Sequence, residues 1–176
     1  MTMPSSDISQ ALIQAVTEAA DRRQPLQLCG SGSKDFLGRT PSGASLDLTG
    51  HRGVINYEPR ELVITVRAGT RLAELEALLA AEGQMLPFEP PHFGPAATLG
   101  GTAACGLSGP RRPYAGALRD FVPGVTLING RGERGRFGGG VLKHVAGERL
   151  YRLTGGSVGW RCVSVAVCMK SLGRPW

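Results

Sequence analysis

Thr98-Leu99-Gly100-Gly101-Thr102-Ala103-Ala104-Cys105-Gly106-Leu107-Ser108-Gly109 is the densest small-residue segment of this 176-residue chain. Four glycines in twelve residues cost too much conformational entropy for a simple connector, so the segment is expected to serve a ligand. A second, shorter cluster, Cys29-Gly30-Ser31-Gly32-Ser33-Lys34, follows a short apolar run. Taken alone it reads as a turn after a strand. Taken together, two loops of Gly, Ser and Thr can converge their backbone N–H groups on the oxygens of one diphosphate, because no Cβ keeps the ligand away. The common nucleotide fingerprints are missing. Gly30 and Gly32 are followed by Asp35 where a dinucleotide motif requires a third glycine, and no GxxxxGK[ST] occurs.

Working outward, Ile8, Leu12, Val16 and Ala19 have helical spacing across residues 6–23, with Asp7 near the positive end and Pro25 as the stop. Leu26 to Leu28 reads as a buried strand, and Leu46 and Leu48 alternate as another. Val54 to Tyr57 and Leu62 to Arg67 are two strands about a turn at Glu58-Pro59-Arg60-Glu61. Thr70 is placed to cap a helix carrying Leu72, Leu75, Leu78 and Leu79 that ends at Gly83. Pro87, Pro90, Pro91 and Pro95 then make an extended approach to the glycine-rich segment. Val122 to Ile128 and Gly132 to Phe137 flank Asn129-Gly130, which predicts a hairpin with a type I′ turn. Leu150 and Leu153 suggest a short helix closed by Gly155-Gly156. Val163, Val165, Val167 and Met169 alternate as a final half-buried strand.

Composition narrows the partner. Twenty Lys and Arg against fourteen Asp and Glu give a net charge of +6, which favours an anionic ligand. The basic residues are scattered, and three Tyr and two Trp offer little stacking surface, so nucleic acid is disfavoured. Cys29, Cys105, Cys162 and Cys168 form no CxxC and have no histidine at zinc-site spacing. They are expected to be reduced, buried thiols of a cytoplasmic protein with no metal, and any membrane association would run through partner subunits.

Four motifs carry a family resemblance. They are Gly30-Ser31-Gly32-Ser33-Lys34, Thr98 to Ala104, Gly116-Ala117-Leu118-Arg119-Asp120 and Asn129-Gly130-Arg131-Gly132-Glu133. In their order and spacing they resemble the FAD domain of the vanillyl-alcohol oxidase and p-cresol methylhydroxylase family. Pro90 to Pro95, Ser108 to Tyr114 and Lys143 to Gly147 look like the FAD-binding subunits of glycolate oxidase within it. The resemblance implies an α+β, two-lobed PCMH-type domain over residues 1–176. A small α/β lobe would span 1–69, and a larger lobe with a mixed or antiparallel sheet and flanking helices would span 70–176. The glycine loops of the two lobes are expected to face a common cleft. Since the family's chains continue into a substrate or cap domain, this sequence is expected to be the cofactor half.

By the same resemblance FAD is held noncovalently. Gly30, Ser31, Gly32, Ser33 and Lys34, with Thr98, Leu99, Gly100, Gly101, Thr102, Ala103 and Ala104, would hold the pyrophosphate. Gly106, Ser108 and Gly109 would run beside the flavin, Gly116 and Asp120 would belong to the same wall, and Val163 would approach the adenosine side. Lys34 is either a point charge for a phosphate oxygen or a solvated lysine after a turn. His92 reads as an ordinary loop histidine and not as a covalent flavin link. The implied activity is oxidation of glycolate to glyoxylate, with electrons passed to a second flavin subunit and an iron–sulfur subunit; no catalytic residue is assigned. The alternative is a noncatalytic FAD-binding or assembly scaffold without its own substrate site.

Overall fold

The computed structural model describes residues 5–38, 42–138 and 162–174. The expected helix at Leu150 and Leu153 and the motifs at Lys143 to Gly147 and Gly155-Gly156 lie outside them. Helix α1 (Ser9–Asp21) buries Leu12, Val16 and Ala19, and Asp7 Oδ1 accepts the Ser9 amide at 2.9 Å before its first turn. The chain leaves the helix at Arg23, in a left-handed conformation with φ 52°, two residues before the proline expected to stop it.

Strands β1 (Leu26–Cys29) and β2 (Ala44–Asp47) pair in parallel. β3 (Val54–Glu58) and β4 (Val63–Arg67) flank a 3-10 turn at Pro59–Glu61, where Leu62 adopts φ 56° to close the hairpin. Helix α2 (Leu72–Ala81) buries Leu72, Leu75 and Leu79, and Gly83 at φ 65° turns the chain into β5 (Gln84–Met85). Thr70 does not cap α2 as expected. Arg71 holds the cap position, and the Thr70 hydroxyl instead accepts the Gly53 amide at 2.9 Å.

After helices α3 (Leu99–Cys105) and α4 (Arg112–Ala115) come β6 (Gly124–Ile128), β7 (Arg134–Gly138), β8 (Val163–Lys170) and β9 (Leu172–Gly173). Strands β3-β4-β8-β6-β7 form one antiparallel sheet, which takes strands from both sides of residue 70. β8 is its central strand. It is buried from Val163 through Met169 except at half-buried Ser164, so the expected half-buried alternation gives way to cover on both faces. The β6–β7 hairpin forms as expected but with a longer loop. Gly132, not Gly130, takes the positive φ, and the Asn129 side-chain oxygen accepts the amides of Arg131 and Glu133 at 2.9 and 3.0 Å. An Asx turn thus replaces the type I′ turn.

Two apolar clusters fill the interior. One joins Ile64, Val66, Val167 and Met169 to Leu72, Leu75, Leu79 and Leu99. The other joins Leu12 and Val16 of α1 to Leu46, Ile128, Val163 and Val165.

His51 is 2% exposed, and its Nδ1 accepts the Ile8 amide at 3.3 Å, tying the approach to α1 against the sheet. Asp7 lies 3.7 Å from the same nitrogen and pairs with Arg67 at 3.0 Å; Arg67 and Arg134 also face the ring. Burial pushes the imidazole below its ordinary pKa, an effect that Arg67 and Arg134 reinforce and Asp7 partly opposes. The folded state therefore holds His51 neutral where the unfolded chain would protonate it, so this stability is complete above the ordinary histidine pKa of about 6.5 and falls below it. Thermal melts from pH 8 to pH 5 are expected to lose melting temperature from about pH 6.5 downward, and His51→Gln should flatten that slope.

Candidate functional site

The first glycine loop leaves β1 at Cys29 and turns on Gly32, at φ 72°. Its internal bonds are Asp35 N to the Gly32 carbonyl at 3.1 Å and Leu37 N to the Lys34 carbonyl at 3.0 Å. The amides of Ser31, Gly32, Ser33 and Lys34 donate to no acceptor among the described residues. A run of free N–H groups around a left-handed glycine is a concave anion cradle.

The second glycine segment is a helix, not a loop. Thr98 caps α3, its Oγ1 accepting the Gly101 amide at 3.3 Å, and Gly106 ends it in a left-handed conformation with φ 65°. Its first-turn amides are engaged inside the protein: Leu99 N to the Thr70 carbonyl, Gly100 N to the Ala68 carbonyl and Thr102 N to the Thr98 carbonyl. Gly100 is required by packing, because a Cβ there would lie 2.7 Å from that of Ala68. At Gly101 a Cβ would meet Thr98 Oγ1 at 3.2 Å.

The two segments touch. A Cβ on Gly30 would stand 3.1 Å from Thr98 Oγ1, so the absence of side chains at Gly30 and Gly101 keeps both flanks of that hydroxyl open. The Lys34 side chain lies near Cys105, at the other end of α3. It is 9% exposed, its Nζ has no hydrogen-bond partner among the described residues, and it sits 5.9 Å from the centroid of the Phe93 ring. Burial lowers the Lys34 pKa and raises that of the Cys105 thiol, and each group partly offsets the shift of the other. On α3, the Thr102 hydroxyl is likewise buried without a partner.

Other expected site residues act within the fold. The Ser108 hydroxyl accepts the Leu118 amide at 2.9 Å and donates to the Gly106 carbonyl at 3.3 Å. Gly109, at φ 70°, packs where a Cβ would overlap the Glu89 carbonyl. Asp120 accepts the Ala117 amide at 3.0 Å beside Gly116, whose φ is 105°. Val163 is buried in the cluster under α1. Leu99 and Ala103 are buried and Ala104 half-buried on α3. His92 pairs with Glu76 of α2 at 3.2 Å. Sequence reasoning missed Phe36 and Phe93, whose rings meet edge to face at 5.1 Å beside Lys34, since no spacing links the two loops. Cys105, half-buried at the end of α3, lies close enough to Lys34 for each to shift the pKa of the other. Of the four cysteines, Cys168 is buried and Cys29, Cys105 and Cys162 are half-buried, and none is in a disulfide. No group of ligating side chains that could hold a metal occurs among the described residues.

An antiparallel sheet flanked by helices, with two glycine segments in contact and a buried ammonium beside them, defines a diphosphate-binding α+β domain outside the common nucleotide folds. A family model described as an FAD binding domain matches residues 7–138, and the chain belongs to that family. Over 169 residues it is 54% identical to glycolate oxidase subunit GlcE of Escherichia coli (strain K12), an alignment covering 96% of this chain and 48% of the relative. It is 27% identical to glycolate oxidase subunit GlcD of Bacillus subtilis (strain 168), covering 91% of this chain and 34% of that protein. It is also 27% identical to D-lactate dehydrogenase of Anaerostipes hadrus, covering 76% and 28%. The chain thus spans half or less of the length of these relatives. Two structures of alkyldihydroxyacetonephosphate synthase share the fold at TM-scores of 0.72 and 0.74 and 20% identity, covering 98% of this chain and 31% of theirs.

The residues present fit FAD. A diphosphate would supply the acceptors that the Lys34 ammonium and the loop amides lack among the described residues. The two kinds of glycine can be separated by substitution. Gly30→Val is expected to weaken FAD binding at least tenfold with a small change in melting temperature, because its side chain enters the gap before Thr98. Gly100→Val should instead lower the melting temperature by several degrees through overpacking against Ala68, about 1–3 kcal/mol. Flavin fluorescence titration with thermal melts of both variants checks the contrast.

Proposed function

We propose that this chain is the cofactor-binding part of a glycolate oxidase-like flavoprotein, which holds FAD noncovalently between the Gly30–Lys34 loop and α3. The observation that carries this reading is the buried Lys34 ammonium, which has no hydrogen-bond partner among the described residues and lies near Cys105, where the first loop comes beside the end of α3. A buried charge left unpaired is costly, and a protein retains one where a counter-ion is to be bound. Lys34 neutralises diphosphate charge there, the amides of Ser31 to Lys34 donate to its oxygens, and Gly30 and Gly101 leave it room beside Thr98. FAD, when bound, supplies the two-electron redox chemistry.

Glycolate oxidation to glyoxylate, with electrons passed to a second flavin subunit and an iron–sulfur subunit, is the parent activity proposed from the GlcE and GlcD relatives. No general acid or base is assigned to this chain, so the substrate site is proposed to lie with residues beyond this half. A cytoplasmic setting agrees with the finding that no helix among the described residues is long and apolar enough to cross a membrane.

Two measurements test the reading. FAD at a hundredfold excess over its dissociation constant should stabilise the folded protein by about 2.7 kcal/mol, seen as a raised melting temperature, whereas an assembly scaffold without a working site would show no shift. Lys34→Met should weaken FAD roughly ten- to hundredfold, as expected for loss of one charge-assisted hydrogen bond, while leaving the cofactor-free protein as stable or more so. A Lys34→Met protein that binds FAD as tightly as the parent chain would count against the site.

A further inference from the structure

Phe36 and Phe93 are the feature of this region that the fold itself does not use. Their rings contact edge to face at 5.1 Å, yet they are 64% and 50% exposed, and neither belongs to an apolar cluster of the core. Phe93 holds φ 50°, a left-handed conformation that is costly for a bulky residue. Gly94 follows at φ 121°, so two successive positive-φ residues set the direction in which the Phe93 ring projects. The strain gains little packing in return, because half of the ring remains in water. What the conformation does achieve is position: the ring lies 5.9 Å from the Lys34 Nζ, the cation without a partner.

An exposed aromatic pair adjoining a diphosphate cation is the combination that recognises a nucleotide, one part by charge and the other by ring contact. We propose that Phe36 and Phe93 form a contact surface for a planar heteroaromatic ring of the dinucleotide whose diphosphate is held at Lys34, an inference that rests on the proposed FAD reading. Phe93 comes from the proline-rich approach to α3 and Phe36 from the far end of the first loop, so ring binding would draw the two glycine segments together from the side opposite Gly30 and Thr98. Both aromatics are positioning residues here. Neither exchanges protons or electrons.

Isothermal titration of the parent chain, Phe93→Ala and Phe36→Ala with FAD, ADP, FMN and inorganic pyrophosphate tests this directly. Phe36→Ala alters an exposed side chain without backbone strain and guards against a folding defect at position 93. The expected result is a fall of about tenfold in FAD affinity for either variant, the size of one lost base–aromatic contact. The same fall is expected with ADP if the adenine is the ring held and with FMN if it is the isoalloxazine, and pyrophosphate affinity should stay unchanged. FAD affinity equal in all three proteins would overturn the proposal. So would a loss matched by pyrophosphate, which would mean that the rings only hold Lys34 in place. A parent chain that binds no FAD would instead defeat the cofactor reading itself, before the aromatic pair is at issue.

Discussion

The backbone at Ala68-Gly69-Thr70 is packed closely against its neighbours, with no room for a side chain at Gly69, and the rest of the molecule is arranged around it. Ala68 donates to the Val165 carbonyl of the central strand at 2.9 Å and accepts the Gly100 amide of α3 at 2.7 Å. Gly69 donates to the His51 carbonyl at 2.8 Å, and any Cβ on it would overlap the Leu48 carbonyl. Thr70 accepts the Leu99 amide at 2.9 Å on its carbonyl and the Gly53 amide on its hydroxyl. Three residues thus tie β8, the turn before β3 and the start of α3 into one knot. Small residues there are a requirement of backbone contact, since close approach is possible only where no side chain intervenes.

That knot decides which glycines remain for the ligand. It fixes α3 by engaging its first amides, so the second glycine segment contributes a capped helix, an open space beside Thr98 and the flank of Cys105. The first segment, by contrast, has loop amides and a buried Lys34 ammonium without hydrogen-bond partners among the described residues. A scaffold that completes one half of the site internally and leaves the other half electrostatically incomplete gains most of its binding energy from a ligand of opposite charge.

Much of this was readable from residue patterns. The leucine stripe of α2, the β3–β4 hairpin and the last strand, β8, all appear where periodicity puts them, although β8 is covered on both faces. The helix at Leu99–Cys105 was not readable, because Gly100-Gly101 is a poor helix former and the segment is held by the carbonyls of Ala68 and Thr70, thirty residues away in sequence. Thr70 misled for the same reason: a good capping residue was taken by a tertiary partner, Gly53. For the site, the glycine loops and Lys34 were found by composition and resemblance, but the burial of Lys34 was not, since a lysine after a turn is ordinarily solvated. The Phe93 ring could not be placed either, because its direction depends on a backbone angle that Phe does not favour.

Whether Lys34 is the partner of a diphosphate can be measured directly. Its ammonium can be followed by NMR as a function of pH, first in the cofactor-free protein and then with saturating FAD. The free protein should show the Lys34 pKa below the ordinary lysine value because burial disfavours the charge, and bound FAD should raise it because a nearby anion favours the charge. A Lys34 pKa that does not move when FAD is bound would place the phosphates away from Lys34.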